Sequence, residues 1–170
     1  MGGCLMDASA SRSQLLLVRI VIGLIVVCLI AGAVFYGLSP NVRERFWTNM
    51  HERPSGPMAF RFIVQPVMAV IAAVIDGIKD GRSGRTPYLL TVVTNPAERV
   101  DRLREGLVAT ARIMLIGLIV DAIYQYTVLK SFYPGEAVAI TVTLAFLPYV
   151  LTRGPVARMT RQRTVATQAK

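Results

Sequence analysis

Apolar residues gather in this chain into long uninterrupted blocks, separated by short segments in which arginine, glycine and proline concentrate. The first block, 20–38, carries no charge, and about 19 residues at 1.5 Å rise nearly match a hydrocarbon layer of about 30 Å. It predicts a transmembrane helix. Arg12 and Arg19 precede it, and Ala31-Gly32-Ala33 resembles a cleavage site, so a signal peptide is the rival reading; the uncharged run is longer than such a segment needs. Ala33 and Gly37, four apart, offer another helix a close approach.

The last two blocks pair into a hairpin. Asn95-Pro96 is a helix start, with an Asn cap, Pro in the first turn and Glu98 favouring the dipole. No proline follows until Pro134, which predicts one helix over 96–131, roughly 54 Å long. Its first half projects out of the membrane, with Glu98–Arg102 and Asp101–Arg104 pairs and a Val100, Leu103, Leu107 stripe facing the 58–80 helix. Spans are expected at 113–130 and, beyond the Ser131-Phe132-Tyr133-Pro134 break, at 136–152.

The block at 58–80 has two solutions. On a helical wheel Arg61, Gln65, Asp76, Lys79 and Asp80 fall within about a third of the circumference, opposite Phe62, Ile63, Val67, Val70, Ile71, Val74 and Ile78. One polar stripe and a short uncharged stretch favour an amphipathic interfacial helix. In the alternative, a fourth span, the narrow face with Ala69, Ala72 and Ala73 points into the bundle; in either case Pro66 bends or mildly weakens the helix. The expected fold is thus an all-α membrane protein with three transmembrane helices, an interfacial helix and a long protruding helix, or alternatively four spans. Residues 1–14 are expected to be a disordered tail, 15–155 a single helical membrane domain and 156–170 a basic tail. The 39–57 segment reads as a solvated linker with Trp47 as an interface anchor, and 88–93 as a short apolar piece resting on the membrane.

Composition narrows the function classes. The chain has 170 residues, 54% hydrophobic and 17% charged, against about a quarter charged in soluble domains. Its formal charge of +9 points to anionic lipid headgroups and not to nucleic acid, whose binding domains lack long uncharged runs. Arg61, Lys79, Arg82, Arg85, Arg153 and Arg158 are the candidate headgroup contacts. Cys4 and Cys28 lie in unlike settings and suggest no bridge; with His51 the sole histidine, neither a metal site nor a cofactor is expected. The N-terminus lacks a myristoylation pattern, having Met6 where Ser or Thr is required. The glycine–arginine turn at 80–87 lacks the phosphate-loop pattern, and no nucleophile–base motif occurs, so no enzyme is expected.

One acid stands out. Asp121 falls near the middle of the 113–130 span, where a carboxylate costs about 2.5–3.5 kcal/mol on insertion scales. Gln125 and Tyr124 lie beside it on the helix. Pro148 cannot donate to Leu144, whose carbonyl falls at a comparable depth in the returning arm. The expectation is a protonated Asp121 donating to Leu144 C=O, Thr141 or Thr143, forming an intramembrane polar lock. The competing role is proton or ion handling in an oligomer.

Gly56-Pro57-Met58-Ala59-Phe60-Arg61-Phe62, Asn95-Pro96-Ala97-Glu98-Arg99, Arg102-Leu103-Arg104-Glu105-Gly106-Leu107 and Phe132-Tyr133-Pro134-Gly135-Glu136, with the 76–88 turn, resemble a family of small uncharacterised bacterial membrane proteins over about residues 56–160. The resemblance implies an inner-membrane location and no catalytic residue. The basic residues place the 81–112 loop and the C-terminus in the cytoplasm; the side of the N-terminus depends on the span count. The functional expectation is a non-enzymatic scaffold or accessory subunit of a membrane assembly, partnered by lipid and by another membrane protein or a second copy. Transport through Asp121 is the alternative.

Overall fold

The structure, a computed structural model, describes residues 11–37 and 40–168, and all regular structure among them is helical. Helix α1 (Arg12–Tyr36) is followed by α2 (Pro40–Glu52), a 3-10 turn (Arg53–Ser55), α3 (Arg61–Arg82), α4 (Tyr88–Thr94) and α5 (Pro96–Tyr124). A π turn (Gln125–Leu129), α6 (Pro134–Thr141), a second π turn (Val142–Phe146) and α7 (Leu147–Gln168) complete the chain. Four stretches are long and apolar enough to cross a membrane: α1, α3, Pro96–Leu129 and Pro134–Thr164. Successive spans run in opposite directions. Val21 packs with Met114 and Tyr36 reaches Phe132, while Gln65 nears Gly117, and Asp80 meets Arg153. Thus α1 runs with α5, and α3 runs with α6–α7.

The four-span alternative is the architecture found. The stripe on α3 that favoured an interfacial helix faces inward: Arg61, Gln65, Ala69, Ala73, Gly77, Asp80 and Gly81 are buried. Its apolar side chains Ile63, Val67 and Ile71 are exposed. A helix lying in the headgroups would show the reverse, with polar groups toward water and apolar groups covered. Small residues on the inner stripe let α3 lie against α7, where a Cβ at Gly77 would sit 2.9 Å from the Arg153 carbonyl oxygen.

Other local readings change with it. Ser11 caps α1 in a capping box with Gln14, so the helix begins inside the segment assigned to the tail; residues 1–10 of that tail lie outside the described residues. The 156–170 tail continues α7 as far as Gln168. Gly32, and not Ala33 or Gly37, makes the close approach to α6, with a Cβ there falling 3.1 Å from Gly135 N. Gly37 instead ends the helix at φ +65°. The Asn95 side chain accepts from Ala97 N and caps α5 as expected. Val100 is exposed, whereas Leu107 packs toward α1. Arg102 is what α5 turns toward α3, bonding Asp80 and Glu105 instead of Glu98.

The outer surface of the bundle is apolar over Ile20, Val27 and Val34 of α1, Ile116, Ile119 and Ile123 of α5, and Leu147 and Leu151 of α7. In water that surface is unfavourable; against acyl chains it costs nothing, because lipid tails are as apolar as leucine.

Candidate functional site

Charged side chains collect inside the bundle at two levels. Arg61 and Asp80 mark them on α3, and Asp121 and Arg102 on α5, each pair 19 residues apart. At helical rise that is about 28 Å, close to the thickness of a hydrocarbon layer.

The first cluster centres on Asp121, which is 0% exposed. Helix α5 and the π turn that continues it set Asp121 and Gln125 about one turn apart on the inner face; α3 contributes Arg61 from its first turn. The segment between α1 and α3 bends back as a strap, turning through Met58 at φ 69°, and inserts Arg53. Arg53 Nη1 donates to Asp121 Oδ1 at 2.6 Å, and its Nη2 donates to Glu136 Oε2 at 2.8 Å. Arg61 pairs ionically with the same Oδ1 at 2.5 Å, without alignment for a hydrogen bond. Gln125 Nε2 donates to Asp121 Oδ2 at 2.6 Å and to the Tyr133 carbonyl at 3.2 Å, while its Oε1 accepts from Tyr133 N–H. The Tyr124 ring lies 5.3 Å and 5.1 Å from the Arg53 and Arg61 guanidinium carbons, near enough for the ring face to attract both cations. Glu136, in the first turn of α6, also accepts from Asn49 Nδ2 and, at 3.5 Å, from Arg45 Nε.

The protonated-acid expectation is therefore corrected. Asp121 accepts from Arg53 and Gln125 and sits against two guanidinium groups, the setting of a carboxylate and not of a donor. Its compensation comes from the strap and α3 instead of the Pro148 break. Thr143 is exposed, and Leu144 and Pro148 are half-buried. The second π turn ends just before Pro148, where a widened turn relieves the clash of the ring with Leu144 C=O. Thr141 is buried above Gly117. Gln125 and Tyr124 do join Asp121, as described.

The second cluster ties α3, α5 and α7. Arg153 Nε donates to Asp80 Oδ2 at 2.8 Å, Nη1 to Tyr149 Oη at 2.7 Å and Nη2 to Glu105 Oε2 at 3.0 Å. Arg102 Nη1 bonds Asp80 Oδ1 and Glu105 Oε2, and Nη2 bonds the Thr86 carbonyl. Tyr149 Oη in turn donates to Asp76 at 2.9 Å. Tyr88, on α4, meets Tyr149 edge-on at 6.0 Å; burial pushes its phenol up to about 12, against the opposing pull of Arg153. A cavity of about 360 Å³, lined by Arg85, Thr86, Glu98, Asp101, Arg102 and Glu105, opens beside this network.

Of the candidate headgroup contacts, Arg61 and Arg153 are withdrawn, being 3% exposed and engaged inside the bundle. Lys79, Arg82, Arg85 and Arg158 lie on the surface, with Arg85 bonded to Glu105 and Lys79 to Asp76. Arg53, Asn49, Arg45 and Glu136 were missed. Glu136 had a signal, an acid directly preceding an apolar run; Arg53, beside Pro54 in a charged stretch, had none. Among the described residues no cluster of metal-ligating type occurs. No known protein family, curated protein or solved structure matches the chain, so the resemblance drawn from its motifs is carried no further.

Proposed function

We propose that the chain is a non-enzymatic, multi-pass protein of the bacterial inner membrane that serves as scaffold or accessory subunit of a larger membrane assembly. One observation carries the reading. The buried carboxylates Asp80, Asp121 and Glu136 are each joined to an arginine of another element. The polar groups that cost most to bury thus fasten helix to helix, and the apolar circumference is left for lateral contact. The least enclosed span, α1, supplies the contact face, toward another membrane protein or a second copy.

The proposed topology places both termini and the 81–112 loop in the cytoplasm, because the strap side then keeps only Arg43, Arg45, Arg53, Arg61 and Lys130 of the basic residues. Two of those five are buried in ion pairs. Lys79, Arg82, Arg85 and Arg158 would then meet anionic headgroups on the cytoplasmic face.

Extraction in a mild detergent followed by size and mass analysis tests the proposal. A stoichiometric complex with another membrane protein, or a defined homo-oligomer, supports it; a monodisperse monomer in lipid discs, alone at native expression, overturns it. The two π turns that flank this end of α5 and α6 favour a second reading, a transport component, because such turns gather at functional sites. Proton flux into liposomes that disappears in Asp121→Asn would establish that reading.

A further inference from the structure

The strap that carries Arg53 is tied to the bundle through charged and polar side chains. Among the described residues, none of its apolar side chains joins the three buried apolar clusters. Phe46 packs edge-on against Trp47 of the strap itself, and Trp47 is exposed. The polar ties gather on one acid: Glu136 accepts from Arg45 Nε at 3.5 Å, from Asn49 Nδ2 at 3.0 Å and from Arg53 Nη2 at 2.8 Å. Arg45 also lies over the Tyr133 ring, 3.9 Å from its centre. Beyond these, Arg53 Nη1 reaches Asp121.

Lifting the strap strands no charge. Asp121 keeps Arg61 of α3 and Gln125 when Arg53 leaves, while Arg53 and Glu136 pass from a buried pair to water. The seated strap, for its part, carries two liabilities. Arg53 Nε and Arg61 Nη2 are buried with no acceptor, a cost that hydration removes. Met58, where the strap joins α3, is held at φ 69°, a strained conformation for a residue with a side chain. At the other end Gly37 turns at φ +65°, where glycine is free to rotate. The segment thus has a pivot at each end and one latch between them, the pattern of a hinged element.

We propose that the strap is a lid, latched on Glu136 and pivoting at Gly37 and Met58, that opens the Asp121–Arg61 pair to water at that end of the bundle. Shut, it leaves Asp121 without solvent contact; open, it turns a dry ion pair into a hydrated one that a polar solute can reach. The lid stands apart from the scaffold reading, because a protein that docks a partner and one that moves an ion can both carry such a device.

The test uses the full-length chain in lipid discs, with Cys4 and Cys28 replaced and spin labels at Thr48→Cys and Ser83→Cys. Both positions are exposed, and α3 separates their ends of the bundle by about 33 Å at helical rise, a span that pulsed dipolar spectroscopy measures. One narrow distance is expected with the latch intact. Glu136→Gln should add a second, longer distance, raising the open population at least about tenfold. Asn49→Ala loosens the latch without touching a buried charge; it should give a smaller rise and decides the matter if Glu136→Gln fails to fold. Labels at Tyr126→Cys and Ser83→Cys, a pair that omits the strap, should keep their distance throughout. In the loosened variant a water-soluble carbodiimide with glycine ethyl ester should modify Asp121 and spare Asp80, as read by peptide mass. The lid is overturned by a Thr48–Ser83 distance that neither variant alters, by equal broadening of the Tyr126–Ser83 pair, or by an Asp121 that stays unmodified while the strap moves.

Discussion

Replacing Asp121 by asparagine separates an ion-paired carboxylate from a protonated one. The asparagine is nearly isosteric and neutral, so a protonated acid that only donated a hydrogen bond would tolerate the change. In the structure the oxygens of Asp121 receive Arg53 and Gln125 at 2.6 Å each and face Arg61 at 2.5 Å. The substitution therefore leaves two dry guanidinium groups with Glu136 as their sole remaining buried acid. Removing one partner of a buried ion pair costs about 3–5 kcal/mol, and both arginines lose a partner here, so the upper part of that range is expected. Reversible unfolding in mixed micelles, followed by the fluorescence of Trp47, gives the loss directly. The double variant Arg61→Gln with Asp121→Asn removes the stranded charge and should be more stable than Asp121→Asn alone, with a coupling energy of about 1–3 kcal/mol. An Asp121→Asn variant within about 0.5 kcal/mol of wild type, or strictly additive effects in the cycle, refutes the ion-pair account.

Three further outcomes follow from the geometry. Gly81→Ala puts a methyl 2.6 Å from Thr160 Cβ and 2.7 Å from the Ala157 carbonyl oxygen, so a loss of about 1–3 kcal/mol is expected in the same unfolding assay; no loss would mean α3 and α7 do not pack this closely. Tyr88 holds its proton to about 12 in the fold and to about 10 when unfolded, so between those values the unfolded state gives up the proton first and stability falls as pH rises. Tyr88→Phe should show a shallower alkaline decline and, because the phenol oxygen has no partner, little loss at pH 7. Thr48→Cys and Ser83→Cys, each made with Cys4 and Cys28 replaced, should respectively label and resist an impermeant thiol reagent added to intact cells; the opposite pattern inverts the topology.

Helix positions were legible because long apolar blocks and an Asn-Pro cap leave few alternatives, as at 20–38 and Asn95. The ambiguity at 58–80 was physical. A polar stripe on an apolar helix is compatible with a water-facing side or with an inward side, and only its partners distinguish them. Those partners, Arg102 and Arg153 for Asp80 and Asp121 for Arg61, lie 22 to 73 residues away, beyond any local pattern. Asp121 stood out in the sequence as a group in need of compensation, and in the structure it is buried against Arg53 and Arg61 and not against the Pro148 break. Proline chemistry at Pro148 is visible in a sequence, whereas an arginine returning from a loop is not. Gly117 carried no signal either, since one glycine in a span is ordinary until a facing side chain fills its place.

The order in which the strap, α3 and α5 occur along the polypeptide has a consequence for biogenesis. Arg53 precedes Asp121 by 68 residues, and synthesis runs from the N-terminus. Both arginines are therefore made, and α3 is ready to enter the bilayer, before their shared acid has left the ribosome. During that interval the nascent protein carries unmatched cations at what will become the Asp121 end of the bundle. Glu136 arrives later still, and only with it can the strap be fastened from both sides, so the last hairpin completes what the first loop began.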